Sequence, residues 1–251
     1  MTVERDPVTL SQALHCRAEI WLNAHGYEKE PVQPGAQRTF DVGTTVEALM
    51  FEGVNASGIP VGPWWPTLPV LQDPINGFTV DPAEYEAEHR QKEIEWLGFK
   101  GHIDALLVKK GNSVLVDMKT ASGFSYDRAM KGDLLDSPFK REYVGQLHAY
   151  AVGLVSAGLT VHNMALIYFN KEQSQVGIRH VPFSQAILDE AEQKLLGSRA
   201  DAPPTPDWAW EKGKAIPLRC GYCAQKVNCA NMRGAELTLS TVKGKPVWTA
   251  G

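Results

Sequence analysis

Two aspartates and a lysine lie on neighbouring segments of the sequence that are otherwise apolar. Asp104 falls in IDALLV, Asp117 and Lys119 fall in VLVDMKT, and KKGN between the segments predicts a hairpin turn. A turn centred between Lys110 and Gly111 places Asp104 opposite Asp117, on the same face as Lys119. Because two adjacent carboxylates repel each other, the pattern favours a Mg²⁺ or Mn²⁺ ion between them. Such an ion activates water for phosphoryl hydrolysis, and Lys119 would stabilise the developing charge.

Four cysteines form the second candidate site. Cys220, Cys223 and Cys229 are spaced C-x2-C-x5-C near the end of the chain, and Cys16 lies in a helical pattern near its start. Four thiolates suit an iron–sulfur cluster or a structural zinc ion. Zinc sites usually combine two close pairs, whereas Cys16 is far from the other three. Unligated cysteines, with Cys16 packed on its helix, are the simplest alternative.

The elements that must position these residues follow from periodicity and from breaker residues. We predict a helix over 9–25 that ends at Gly26, a helix that starts at Thr44 or Thr45 and stops before Gly53, and a polar helix over 82–93. Further along, we predict three strands over 94–122, a helix over 141–158, two strands over 161–183, and a helix capped by Ser184. The segment 53–79, rich in Gly, Pro and Trp, shows neither period and is predicted to be a long insertion. This order indicates an α/β fold with a mixed sheet flanked by helices.

Three motifs occur in a fixed order: G-x-x-D at Gly101–Asp104, D-x-K at Asp117–Lys119 and Q-x-x-x-Y at Gln146–Tyr150. Each alone fits an ordinary surface, such as an exposed Asp117–Lys119 pair. Together they resemble the PD-(D/E)XK nuclease superfamily and, within it, the RecB-like branch. The resemblance implies a restriction-endonuclease-like core in which Asp104, Asp117 and the Met118 carbonyl bind Mg²⁺ or Mn²⁺. It further implies that Lys119 assists the attacking water and that Gln146 and Tyr150 position Lys119 or the substrate phosphate.

An earlier helix completes the metal site in the RecB-like branch, often with a histidine in a G-T-x-V-H motif. This sequence reads GTTVEAL and has Glu47 at that position. The resemblance therefore implies that Glu47 binds the metal directly or through water. The alternative is purely structural, because Thr44 and Glu47 also have the spacing of a helix capping box.

The cysteine spacing carries a narrower resemblance, to the nuclease domain of AddB and to CRISPR-associated RecB-like nucleases. In those proteins one helical cysteine and a C-x2-C-x5-C segment hold a [4Fe–4S] cluster. The resemblance implies that Cys16, Cys220, Cys223 and Cys229 do the same here. The cluster would then form a clasp that joins the N-terminal helix (9–26) to the C-terminal cysteine loop (216–231).

Residues that could hold DNA give a weaker signal. Arg128, Lys140 and Arg141 follow the predicted active-site strand, in a region that borders the substrate path in the family. Two tryptophan pairs, Trp64–Trp65 and Trp208–Trp210, could stack on unpaired bases or could pin long loops to the body. The formal net charge of −4 argues against a broad basic surface that coats nucleic acid.

Taken together, residues 1–251 are expected to form one nuclease domain, with its core at 40–199 interrupted by the insertion at 53–79. We predict a Mg²⁺- or Mn²⁺-dependent deoxyribonuclease, acting as an exonuclease on single-stranded DNA or DNA ends. Recombination, repair, phage DNA processing and CRISPR adaptation are the expected settings, with a helicase, recombinase or CRISPR integrase as partner. The alternative is a DNA-binding or assembly subunit with a vestigial nuclease site. The sequence shows no signal-peptide pattern and no membrane span, which predicts a cytoplasmic protein of bacterial or phage origin.

Overall fold

The structure is a computed structural model that describes residues 8–32, 34–242 and 245–251. The α-helices are α1 (Arg17–Ala24), α2 (Pro34–Glu47), α3 (Gly123–Lys131), α4 (Pro138–Ser156), α5 (Gln185–Gly197), α6 (Leu218–Gly221) and α7 (Lys226–Met232). Two 3₁₀ turns, Leu10–Gln12 and Trp65–Thr67, and a π-helical turn at Ala48–Glu52 add to these. No helix in the described ranges is long and apolar enough to cross a membrane.

The strands form one main sheet and three short hairpins. They are β1 (Leu71–Gln72), β2 (Thr79–Val80), β3 (Glu86–Glu88), β4 (Glu93–Trp96), β5 (Phe99–His102), β6 (Ala105–Lys109), β7 (Asn112–Ala121), β8 (Asn163–Asn170), β9 (Gln175–Val181), β10 (Leu237–Val242) and β11 (Lys245–Ala250). The main sheet has the order β3-β6-β7-β8-β9, with β7 and β8 parallel and the other neighbours antiparallel. The predicted mixed sheet flanked by helices is confirmed.

The predicted register of the β6–β7 hairpin is also confirmed. Lys109 pairs with Asn112, and the pairing continues to Ala105 opposite Val116, so that Asp104 and Asp117 follow at the end of the hairpin. Gly111 has φ +77°, a conformation that glycine adopts without strain, which explains why the turn closes here. The hairpin turn therefore fixes which face of the sheet carries the acidic residues.

The long strand β7 separates two apolar cores. Val114, Val116 and Met118 pack in the core beneath α2 and the π-helical turn. Leu115 packs in the other core, with Leu147 and other residues of α4. Because side chains alternate along a strand, Asp117 and Lys119 share the α4 side with Leu115. The sheet thus presents both residues to the helix that carries Gln146 and Tyr150.

Several predicted elements are wrong in extent or kind. The helix predicted over 9–25 is a 3₁₀ turn and the separate helix α1, broken at Ala13–Cys16. The second helix begins at Pro34, ten residues before the predicted start at Thr44, and the π-helical turn that continues it stops before Gly53, which has φ +70°. The segment 53–79 contains a 3₁₀ turn and two short strands, where we expected no regular element.

The predicted helix over 82–93 is instead an edge strand followed by a turn. β3 pairs with β6 and exposes Glu86 and Glu88, so edge-strand pairing overrides the local polar pattern. The segment 94–122 contains β5, β6, β7 and most of β4, which is four strands where three were predicted. The additional break arises because Leu97 and Gly98 turn the chain with positive φ between β4 and β5. Ser184 occupies the predicted N-cap position of α5, but its side chain makes no capping hydrogen bond.

Candidate active site

Asp104 and Asp117 meet at the end of the β6–β7 hairpin. The Met118 amide donates a hydrogen bond of 2.6 Å to Asp104 Oδ2, which holds that carboxylate against β7. Asp117 is 1% exposed, and neither of its carboxylate oxygens has a hydrogen-bond partner among the described residues. Lys119 Nζ lies 2.7 Å from Asp117 Oδ2 in an ion pair that is not aligned as a hydrogen bond. The two carboxylates therefore lie close together, and the charge of Lys119 only partly offsets their negative charge.

The acidic groups disturb one another's ionisation. Burial, followed by the charges of Asp117 and Glu47, raises the pKa of Asp104 well above its usual value. Burial also raises the pKa of Asp117, against the opposing effect of Lys119. The pKa of Glu47 is raised by burial and then by the charge of Asp117. The charge of Asp117 in β7 thus acts on the carboxyl groups of Glu47 in α2 and of Asp104, which directly precedes β6.

The carboxylate oxygens of this site are suitable ligands for a hard divalent cation. Buried carboxylate oxygens without hydrogen-bond partners are oxygen ligands of the kind that Mg²⁺ and Mn²⁺ prefer. Nevertheless, no group of three or more His, Cys, Asp or Glu side chains in the described part of the chain has the arrangement of a formed metal site. The residues that could hold a cation are present, and their spacing is not that of a completed coordination shell.

Lys119 connects the carboxylates with α4. Its Nζ donates a hydrogen bond of 3.3 Å to Gln146 Oε1 and lies 4.7 Å from the centre of the Tyr143 ring. Gln146 Nε2 in turn donates to Tyr150 Oη at 3.0 Å. Burial alone would lower the pKa of Lys119, but the charges of Asp117 and Asp104 outweigh it and raise that pKa. Lys119 is therefore charged at neutral pH and fixed from two sides.

Gly101 allows Tyr150 to approach the site closely. A Cβ atom at this position would lie 2.7 Å from Tyr150 Cε1 and 3.0 Å from Leu10 Cβ. Glycine is thus required for packing in the G-x-x-D motif, because any larger residue would push the tyrosine ring away. Tyr150 is 3% exposed, and burial raises the pKa of its hydroxyl, which remains protonated.

Glu47 lies in the last turn of α2, where its side chain accepts a hydrogen bond from Gln91 Nε2. The alternative of a capping box with Thr44 is wrong, because α2 begins at Pro34 and Thr44 lies inside it. Thr44 Oγ1 donates to the Phe40 carbonyl at 3.2 Å, one helical turn back. Glu47 is therefore free of a capping role and is turned towards the acidic site.

We expect a divalent cation to stabilise this protein increasingly as the pH rises. A carboxyl group whose pKa is raised by folding destabilises the folded state as the pH climbs from its ordinary pKa, 3.8 for aspartate, towards the raised value. Without metal, the midpoint temperature of thermal unfolding should therefore fall as the pH rises above 3.8. Mn²⁺ at about 100 times its Kd should add about 2.7 kcal/mol of stability.

The control for this prediction is Asp117→Asn, which removes one of the repelling charges. It should abolish the response of the unfolding midpoint to Mn²⁺. A wild-type midpoint that Mn²⁺ leaves unchanged across the pH range would contradict the assignment of a cation site.

The basic residues predicted near a DNA path are engaged within the protein. Lys140 Nζ donates to the Arg128 carbonyl at 2.6 Å, and Arg141 forms an ion pair with Glu190. The Arg128 guanidinium lies 5.8 Å from the centre of the Phe124 ring. Their assignment to DNA stays a prediction, and among the described contacts none joins them to Asp104, Asp117 or Glu47.

The tryptophan pairs mainly hold loops. Trp65 is 2% exposed and donates from Nε1 to the Tyr85 carbonyl at 3.0 Å, which fixes the insertion to the body. Trp64 is more accessible, at 38% exposed, and its ring centre lies 6.4 Å from that of Phe169. Trp208 and Trp210 are partly buried against the cysteine residues. Three of the four rings therefore have a structural role.

All four cysteines line one small cavity of about 20 Å³ between the two ends of the chain. Cys16 is the N-cap residue of α1, Cys220 lies in α6, Cys229 lies in α7, and Cys223 lies between α6 and α7. No disulfide joins them in the described residues. Burial raises the pKa of Cys16, Cys220 and Cys223, so these thiols are protonated in the metal-free protein.

Three of the sulfur atoms accept hydrogen bonds, as thiolates in metal centres commonly do. The donors are Trp210 Nε1 to Cys220, the Gln225 amide to Cys223 and Arg233 Nε to Cys229, each at 3.4 Å. Four cysteine side chains and hydrogen-bond donors to three of their sulfur atoms are the groups expected around a metal bound by thiolates. As at the carboxylates, the sulfur atoms are not arranged as a formed metal site in the part that the structure describes.

A buried ionic network adjoins this cavity. Arg219 is 6% exposed; its Nε donates to Glu142 Oε1 at 2.6 Å and its Nη2 to Glu19 Oε2 at 3.0 Å. His15 lies 3.3 Å from Glu19 and 3.6 Å from Glu142. Burial opposes ionisation of Glu19, but His15 and Arg219 outweigh it and lower its pKa to about 2. The network joins α1, α4 and α6.

The family model of the PD-(D/E)XK nuclease superfamily matches residues 15–230. The chain belongs to the PD-(D/E)XK nuclease superfamily. This superfamily consists generally of nucleases that act on DNA, typically with divalent metal ions such as Mg²⁺ or Mn²⁺. The mixed sheet flanked by helices is consistent with the restriction-endonuclease-like fold that the resemblance implied.

Two further comparisons add little to the superfamily assignment. The crystal structure of SSO0001 aligns with a TM-score of 0.42 and 16% identity, over 91% of this chain and 88% of that chain. This similarity is too low to support an argument about function. No curated protein matches the sequence of this PD-(D/E)XK chain.

Sequence reasoning missed three contributors to the site of this PD-(D/E)XK protein. Tyr143 precedes Gln146 by three residues and could have been found from helical spacing alone. Gln91, which contacts Glu47, lies in a turn that was predicted as a helix. Tyr168 lies directly opposite Lys119 through the parallel pairing of β7 and β8, which no local pattern reveals. Its buried hydroxyl has no hydrogen-bond partner among the described residues.

Proposed function

We propose that this chain is a Mg²⁺- or Mn²⁺-dependent deoxyribonuclease that removes nucleotides from single-stranded DNA or DNA ends. The observation that carries the proposal is the contact chain from Asp117 through Lys119 to Gln146, beside the half-buried residue Asp104, whose carboxylate accepts from the Met118 amide. Membership of a nuclease superfamily supports the same conclusion.

Each residue has a distinct proposed role. Asp104, Asp117 and the Met118 carbonyl would hold the cation, with Glu47 completing the set directly or through water. When bound, the cation would polarise the phosphate and lower the pKa of water. Lys119 would orient the attacking water and stabilise negative charge on the phosphate. Gln146 and Tyr150 would keep Lys119 in position.

The test is cleavage of end-labelled single-stranded DNA, duplex DNA and circular single-stranded DNA with Mn²⁺, and with EDTA as the control. We expect shortening of linear single strands that requires the metal, with circular strands left intact because they have no ends. Degradation of the circles would show an endonuclease, and no cleavage of any DNA would refute the proposed activity.

The second candidate is a DNA-binding or assembly subunit with a vestigial nuclease site. It is favoured by one observation, that the carboxylates in the described residues do not form a completed metal site. Tight DNA binding by a folded protein that never cleaves, with either Mg²⁺ or Mn²⁺, would support this second candidate.

We also propose that the cysteine cavity holds a [4Fe–4S] cluster, which would make it a clasp between the two ends of the chain. The support is the shared cavity and the hydrogen bonds donated to three sulfur atoms. The ligands would be Cys16, Cys220, Cys223 and Cys229, and the cluster would stabilise the fold without taking part in the cleavage reaction.

We expect anaerobically purified protein to be brown, with iron and acid-labile sulfide bound in equal amounts. Cys16→Ser should lose most of the bound iron and lower the unfolding midpoint, because the cluster then no longer links α1 to the cysteine loop. A colourless protein with stoichiometric zinc would identify a zinc site instead. A stable Cys16→Ser variant with full iron content would exclude Cys16 as a ligand.

The biological setting remains the predicted one, DNA recombination, repair, phage DNA processing or CRISPR adaptation. A helicase, recombinase or CRISPR integrase would be the matching partner.

A further inference from the structure

One face of α4 connects the candidate active site with the cysteine segment. Gln146 and Tyr143 on this face contact Lys119. Phe139 lies one turn earlier, and its ring centre is 6.0 Å from that of Tyr222 at an interplanar angle of 74°. Residues spaced by three or four positions share a helix face, so these contacts form a continuous row. The row leads from the catalytic lysine to a ring in the C-x2-C segment.

Tyr222 is unusual because it is exposed and yet oriented. It lies between Cys220 and Cys223, and 73% of its surface is accessible to solvent. Its edge-to-face contact with Phe139 is backed by Arg219, whose guanidinium lies 5.6 Å from the centre of the Phe139 ring. The neighbours therefore hold the ring, while most of its surface is free. Such a ring contributes little to the core and offers a stacking surface.

We propose that Tyr222 stacks on an unpaired base of single-stranded DNA whose backbone runs along α4 to Lys119. The inference rests on the proposed nuclease function and specifies its substrate as a single strand. Duplex DNA does not fit this contact, because its bases are already stacked on one another. Every base has an aromatic face, so the contact is independent of sequence.

The charges along α4 favour stacking over additional phosphate contacts. Arg219 is paired with two glutamates, Arg141 with Glu190, and Lys140 with a backbone carbonyl. The cations nearest to this row are therefore already engaged by the protein. An aromatic ring binds a single strand without a free cation, and it does so with little dependence on salt.

The experiment measures binding of fluorescein-labelled oligothymidylate and of a labelled duplex by anisotropy, in EDTA to prevent cleavage. Tyr222→Ala should weaken single-strand binding about 5- to 150-fold, the range of one lost base stack. The slope of log affinity against log salt should not change, because no phosphate contact is removed. Duplex binding should be unaffected.

Three variants separate stacking from other effects. Tyr222→Phe keeps the ring and should bind like wild type, whereas Tyr222→Leu keeps apolar bulk and should bind as weakly as Tyr222→Ala. Leu218→Ala is the matched control, because Leu218 is 70% exposed in α6, the short helix that ends just before Tyr222, but cannot stack. Wild-type affinity in Tyr222→Leu, or an equal loss for single strands and duplex, would overturn the inference.

The outcomes also distinguish this inference from the proposed function. If wild-type protein cleaves single-stranded DNA and Tyr222→Ala binds and cleaves it equally well, only the stacking contact is refuted. If wild-type protein binds single strands and loses that affinity in Tyr222→Ala but never cleaves, the contact stands and the nuclease activity fails. Wild-type protein that binds no single-stranded DNA refutes the contact.

Discussion

Replacement of Lys119 by methionine is expected to lower the rate of DNA cleavage about 10²–10³-fold, the usual cost of one preorganised charge-stabilising donor. The reason is that Lys119 Nζ joins Asp117 to Gln146, and methionine keeps the length of the side chain without the charge. Asp117→Asn should cause a loss of similar size by removing a cation ligand. Single-turnover rates at saturating Mn²⁺ would measure both effects.

The matched control is Lys109→Met on the neighbouring strand β6, where the lysine is exposed and pairs with Glu84. It should leave the cleavage rate unchanged. Binding of single-stranded DNA by Lys119→Met in EDTA would show that the variant is folded. A Lys119→Met protein that cleaves at the wild-type rate would remove this residue from the mechanism.

Replacement of Arg219 by methionine is expected to destabilise the protein by about 3–5 kcal/mol at neutral pH, because breaking a buried ion pair leaves uncompensated charge. Glu19 and Glu142 are 8% and 6% exposed, and both would lose their ion pair with Arg219. Chemical denaturation at several pH values would measure the change in the free energy of unfolding.

The pH dependence has a definite sign. Folding lowers the pKa of Glu19 from 4.5 to about 2, so its stabilising contribution is complete above pH 4.5 and is lost as the pH falls towards 2. His15 contributes most to this lowering and Arg219 contributes after it, so Arg219→Met removes only the Arg219 part, and its deficit should shrink in acid as Glu19 becomes protonated. Arg17→Met, at an exposed ion pair with Asp207, is the control and should change stability by less than about 1 kcal/mol.

A triple variant tests whether unpaired charge is the cause. Adding Glu19→Gln and Glu142→Gln to Arg219→Met removes the buried negative charges and should restore much of the lost stability. If the triple variant is no more stable than Arg219→Met, then lost packing and not charge explains the effect.

The sequence was informative where one local feature determined geometry. The turn at Lys110–Gly111 set the register of β6 and β7, so the approach of Asp104 to Asp117 followed from the alternation of side chains. Helical spacing likewise placed Gln146 and Tyr150 on one face, and they contact each other. The predicted convergence of Cys16 with the other three cysteines came from the family resemblance, since no local rule joins residues so far apart.

Tertiary pairing explains most of what the sequence did not reveal. The acidic segment at 86–88 forms a strand only because β6 offers it an edge, and its own composition favours no strand. Tyr168 reaches Lys119 through a parallel pairing that depends on the intervening helix α4. The Arg219 network joins residues from three helices, so it could not be inferred from spacing along the chain.

The separation of the network's partners also bears on how the chain folds during synthesis. His15 and Arg219 are 204 positions apart, so α1 leaves the ribosome long before the helix that neutralises Glu19. At 5–20 residues per second, this delay is roughly 10–40 s. Throughout that interval the apolar side of α1, with Trp21 and Leu22, has no C-terminal partner to cover it. The nascent N-terminal segment therefore carries uncovered apolar surface until the C-terminal residues of this cluster have been synthesised.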